Sequence, residues 1–179
     1  MSQFSQNFGK NVLRKRLKNT RRNKTAQNFK SASSATIVFD ALIPESFSVV
    51  KDFSKYLKEN GIKTKIIGFV TQKEVPQEML LWANFDFITK NELNWFGKPG
   101  GPVAEAYFTS EPDILFVFSF AQNLSVDFLS QLSLAKFKVG CFTEANNDYD
   151  LMINPPGGKC DLKFLTEQVK LYINMLNPS

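Results

Sequence analysis

The chain has no histidine. That absence removes the commonest general base, the commonest metal ligand and every Ser-His or Cys-His nucleophile pair. Its two cysteines, Cys141 and Cys160, are too few for a disulfide framework and lack metal-ligand spacing. A reducing cytoplasm is the compartment this favours. No run approaches the ~18 apolar residues that a membrane span needs, and the start lacks the apolar block of a secretory signal. The residues therefore favour a binder over a catalyst, with no cofactor and no metal expected.

One further lack is local. The first 34 residues contain no Asp or Glu, yet they hold nine cations: Lys10, Arg14, Lys15, Arg16, Lys18, Arg21, Arg22, Lys24 and Lys30. The other 13 cations face all 17 acids, so residues 35–179 carry a net charge of −4 although the whole chain is +5. Such a split is a cue for a nucleic-acid or membrane tail on an acidic body. Nine clustered cations also repel one another, so residues 1–34 are expected to form a separate basic arm, partly helical or disordered without a counter-charge.

RNA phosphates would supply that counter-charge, with release of condensed counterions. Asn7, Asn11, Asn19, Asn23, Asn28, Thr20 and Thr25 add neutral donors suited to phosphate and sugar oxygens. The mixture is similar to the extensions that ribosomal proteins thread into ribosomal RNA. An anionic membrane is the second candidate, because Phe4, Phe8, Val12 or Leu13, and Leu17 recur at near-helical spacing. Their stripe is narrow and stops while the cations continue to Lys30. A transit peptide, also Arg-rich and acid-free, is the third.

Beyond a small-residue hinge at Ser31–Ser34, strands and helices alternate. Strand-like runs stand at 35–39, 63–70, 85–88, 113–120, 138–142 and 150–153. Helical spacing marks Phe47, Val50, Phe53 and Leu57, then 77–83, 103–109 and 125–135, and finally Leu162, Leu165, Val169, Tyr172 and Leu176. Alternation of this kind predicts a three-layer, Rossmann-like α/β domain with a mostly parallel sheet.

Two Gly/Pro loops, Phe96–Pro102 and Pro155–Lys159, lack the spacing of a phosphate-binding loop and read as turns. Ligands of parallel α/β sheets bind beyond the carboxyl ends of the strands. The residues expected there are Asp40, Thr71, Ser119, Thr143 and Glu144, with Asp40 and Glu144 as a conceivable carboxylate pair. Each is also an ordinary turn or cap residue. Cys141, inside an apolar run, is expected to be a buried and inert thiol, and Cys160 opens the last helix. Trp82 fits a core face. Trp95, with Phe96 and Lys98 in a Gly/Pro loop, suits base stacking or a partner contact.

Four blocks carry a resemblance: Trp95-Phe96-Gly97-Lys98, Pro112-Asp113-Ile114-Leu115, Ala135 to Gly140, and Asp148 to Ile153. Their order across about residues 35–177 resembles a family of small Bacteroidota proteins known as a domain of unknown function. The chain departs from it in a longer Pro99–Pro102 insertion. The resemblance implies a bacterial cytoplasmic protein and lends no activity, cofactor or catalytic residue. Together these readings lead to a non-enzymatic RNA-binding protein, associated with the ribosome through RNA and ribosomal proteins. A small-ligand or nucleotide-binding enzyme at the carboxyl edge of the sheet, or an adaptor of a membrane-associated assembly, is the alternative.

Overall fold

The computed structural model describes residues 2–120, 123–144, 147–155 and 161–177. Six strands form one parallel sheet: β1 (Ser34–Asp40), β2 (Lys63–Val70), β3 (Phe85–Thr89), β4 (Ile114–Phe118), β5 (Phe137–Cys141) and β6 (Leu151–Ile153). Their order is β3-β2-β1-β4-β5-β6, and every neighbouring pair is parallel. The runs with apolar residues on both faces fall at the centre, where both faces are covered. All five residues of β4 are buried, as are residues 35–39 of β1.

Helices α2 (Ser46–Glu59) and α5 (Leu162–Met175) cover one face of the sheet. Val50, Phe53, Leu57, Leu165, Val169 and Ile173 pack there against Ile37, Phe39, Phe116 and Phe118. Helices α3 (Gly101–Phe108) and α4 (Leu124–Leu132) cover the other, where Ala104, Tyr107, Val126 and Leu129 meet Val38, Ile67, Leu115 and Val117. The chain thus has the three layers its alternation predicts.

Several details differ from the sequence reading. Ile173, not Tyr172, completes the inner stripe of α5; Tyr172 is exposed. The segment at 77–83 is only a 3-10 turn, Gln77–Leu81, with Leu80 and Leu81 in solvent. Trp82 does pack inward, stacked on Phe47 at 4.2 Å and set edge-on to Phe85. Cys141 is half-buried rather than sealed, because β5 has only the three-residue β6 beyond it. Cys160 and most of the second Gly/Pro loop lie outside the described residues.

The basic segment departs furthest from expectation. Residues Gln3–Asn19 form a helix, α1, capped by the Ser2 hydroxyl, and it is not detached. Leu13 is buried against Leu124, Phe128 and Leu132 of α4, with Val12 and Leu17 beside it. α1 is therefore an outer layer on α4. After Asn19 the chain crosses the amino ends of the strands and reaches the opposite face. There Phe29, 3% exposed, enters the α2/α5 core beside Tyr56 and Phe116.

Candidate nucleic-acid interface

The basic segment is held at four stations. At the first, Phe8 lies 4.6 Å from the Trp95 ring and 5.4 Å from Phe96. Gly9 makes the contact close: a Cβ there would stand 2.5 Å from the Phe96 carbonyl oxygen and 2.7 Å from a Leu124 methyl. The receiving loop turns at Gly97, whose φ of 89° favours glycine. The Asn94 side chain braces it by accepting from the backbone N–H groups of Phe96 and Lys98.

The second station is Arg22, whose side chain is only 4% exposed. All five of its N–H donors have partners. Nε donates to Asp148 Oδ2 at 3.0 Å, and Nη1 donates to the carbonyls of Ala135 and Lys136. Nη2 donates to the Asp148 carbonyl and, at 2.8 Å, to Asp150 Oδ1. Lys24 Nζ adds a 2.7 Å pair with Asp148, and the wholly buried Lys138 Nζ a 3.0 Å one. Burial opposes the charge on Lys138 more than its Asp148 partner favours it, so its pKa falls to about 8. Burial also opposes ionisation of Asp148, but Lys24, Arg22 and Lys138 outweigh it and hold the carboxyl well below its ordinary range.

Thr25 forms the third station, its backbone N–H donating to the Lys136 carbonyl at 3.1 Å. The fourth replaces the expected hinge. The backbone N–H and hydroxyl groups of both Ser33 and Ser34 donate to Asp113 Oδ2, at 2.9–3.0 Å. Lys136 Nζ pairs with the other Asp113 oxygen at 2.8 Å. Those donors outweigh burial and depress the Asp113 pKa far below normal. A serine run reads as flexible until the buried acid that collects its donors is known.

All four sequence blocks behind the family resemblance are therefore receptors for the basic segment. Trp95-Phe96 takes Phe8 and Gly9. Asp113 takes Ser33 and Ser34. Lys136 and Lys138 stand beside Thr25 and Arg22, and Asp148 and Asp150 hold Arg22 and Lys24.

This arrangement corrects the reading of nine free cations on a separate arm. Arg22 and Lys24 are in internal ion pairs. The other seven make no ion pair among the described residues. Lys10, Arg14, Lys15 and Lys18 are exposed along α1, and Arg16 and Arg21 are exposed at its end. Lys30 stands apart, in the turn held by Asn28 and Ser31. Lys98 is half-buried, its Nζ 5.1 Å over the Phe108 ring, and burial and then Arg16 lower its pKa. Trp95 remains 58% exposed although Phe8 packs against it.

The carboxyl edge is arranged differently. Asp40 ends β1 and Ser119 follows β4, so the two stand where the strand order reverses. Ser119 Oγ donates to Asp40 Oδ2 at 2.8 Å. Burial raises the Asp40 pKa, against the effect of Ser119 and the Phe120 N–H. Glu144 is exposed and is not among the contacts of Asp40. Among the described residues, no group of three or more Cys, Asp or Glu side chains is arranged to hold a metal ion. Nor is any helix there long and apolar enough to cross a membrane.

Fold and clamp together define a three-layer parallel α/β domain with a basic helix strapped across its outside. Residues 6–176 match a family of unknown function, DUF6913, and the chain belongs to it. The match takes in α1 from residue 6, so the basic segment is part of the family's domain. No curated protein and no solved structure matches the chain.

Proposed function

We propose that the protein binds RNA without catalysing a reaction, and that the exposed cations of α1 carry the binding. The supporting observation is a firmly docked helix with no acidic residue and five cations in solvent, continuing into Arg21. A fixed row of cations on a body of net negative charge attracts a polyanion to one face and repels it elsewhere. Trp95, exposed at the amino end of the same helix, offers a ring for base stacking. The ribosome, in the cytoplasm of a bacterium of the Bacteroidota, is the setting this reading assigns, with ribosomal RNA and proteins as neighbours.

Docking of α1 weighs against a membrane surface. Of the stripe an interfacial helix would insert, Val12, Leu13 and Leu17 already face α4 and Phe8 packs on Trp95, which leaves Phe4 in solvent. The small-ligand enzyme is weakened because the Asp40 carboxylate is engaged by Ser119 and Phe120.

Fluorescence anisotropy with a labelled single-stranded RNA tests the proposal. Binding should weaken steeply as salt rises, and a Lys10→Gln/Arg14→Gln/Lys18→Gln variant should lower affinity at least tenfold. The same variant should leave ribosome pellets in co-sedimentation. Affinity and sedimentation unchanged in that variant would sink the reading.

A further inference from the structure

Two recesses flank the end of α1, and they differ in how their charges are paired. One, of about 510 Å³, has Arg21, Arg22, Lys24 and Asp148 in its lining, and there Arg22 and Lys24 are already held in ion pairs with Asp148. The other, of about 720 Å³, opens between the end of α1, the Lys98 loop, α3 and the chain after α4. Its cations are Arg16, Arg21 and Lys98, and Glu105 is its sole acid. None of these four takes part in an ion pair among the described residues.

We infer that the second recess seats one nucleoside phosphate unit, its phosphate between Arg16, Arg21 and Lys98 and its base against Phe108 and Leu134. The assignment rests on the RNA reading and names the place where a strand leaves the helix surface and enters a pocket. Three features of the recess carry it.

The first is like charge that no ion pair among the described residues neutralises. Burial and then the nearby Arg16 guanidinium depress the Lys98 pKa; Glu105 offsets this only in part, and neither cation is in an ion pair among the described residues. Among the described residues, the sole hydrogen bond of Lys98 Nζ is a long one to its neighbour Pro99's carbonyl, at 3.4 Å, and the ammonium also lies over the Phe108 ring. A phosphate would relieve both cations at once, and arginine suits its paired oxygens. The second is composition. An apolar wall of Phe108, Leu132 and Leu134 stands next to Asn19, Thr20 and Thr109, a mixture that suits a base and sugar beside their phosphate. The Asn19 amide has no hydrogen-bond partner among the described residues and is placed to supply donors. The third is size, which falls within the ~300–1,000 Å³ usual for small-ligand sites.

Titration of the full-length protein with adenosine 5′-monophosphate, adenosine and inorganic phosphate, followed by amide NMR shifts, tests this. The monophosphate should shift Lys98, Phe108 and Thr109, and should bind at least fivefold tighter than phosphate or adenosine alone. Lys98→Gln and Arg16→Gln should each weaken it at least fivefold. Lys15→Gln, an equal loss of charge on α1 outside the recess, should change it less than twofold. Equal losses from all three variants, or shifts spread along α1, would overturn the assignment. Two outcomes separate it from the broader reading. RNA binding that falls in the α1 triple variant but not in Lys98→Gln defeats the recess and keeps the RNA. Monophosphate binding at Lys98 and Phe108 without any RNA binding keeps the recess and defeats the RNA.

Discussion

Helix α1 and the strap that follows it share one composition and use it in opposite ways. In α1 Val12, Leu13 and Leu17 face the body, while Phe4 and the cations Lys10, Arg14, Lys15 and Lys18 face solvent. In the strap, residues 20–33, Arg22 points inward to Asp148 and Asp150, and Phe29 fills the far core. A basic run is therefore not one functional unit. Its cations divide according to whether the fold provides an acid to receive them.

Arg22→Met should break that division most severely. It leaves Asp148, Asp150 and the carbonyls of Ala135 and Lys136 with an incomplete set of partners, a loss of about 3–5 kcal/mol for a buried pair. Urea unfolding should report it. Arg22→Lys should recover little, since an ammonium cannot reach five acceptors fixed in the plane of a guanidinium. Next comes Gly9→Val, which should cost about 1–3 kcal/mol by forcing α1 away from Phe96 and Leu124. The Trp95 fluorescence should shift as Phe8 leaves its ring, while the sheet stays folded.

Acid should loosen the strap. Asp113 and Asp148 have folded pKa values below their unfolded ones. The unfolded chain therefore takes up protons first as pH falls, and the stability these carboxylates give above about pH 4 is lost below it. Thermal unfolding between pH 6 and pH 3 should show the fall, and Asp148→Asn should make it shallower. Lys138 has the opposite sign. Its folded pKa of about 8 lies below the ordinary lysine value, so its share of stability rises with pH from about 8 to 10.5. Smallest in stability is the Lys10→Gln/Arg14→Gln/Lys18→Gln variant, expected within about 0.5 kcal/mol of the parent. The same three changes should lower the salt slope of RNA binding by about 2, at ~0.7 per single-strand phosphate contact. A large stability loss there would erase the contrast between helix and strap.

Much of the architecture could be read from sequence. Periods of two and 3.6 residues located the strands, the inner face of α2 and most of that of α5, because those patterns follow from local geometry and burial. The charge split, the exposed position of Trp95 and the inward packing of Trp82 were legible for the same reason. Where the cations of the basic segment would go was not. Arg22 and Arg21 are adjacent and chemically identical, and only the placement of Asp148, more than a hundred residues later, separates the buried one from the exposed one. Likewise Ser33 and Ser34 form a fixed joint because Asp113 immediately precedes the neighbouring strand β4.

Residue order alone thus determined the three layers, the parallel sheet and the surplus of positive charge near the start of the chain. Tertiary structure decided which of those charges are structural and which remain for a partner. Covering a sheet face is a local property of periodic side chains. Pairing a buried charge depends on groups that only the folded chain brings within hydrogen-bonding distance.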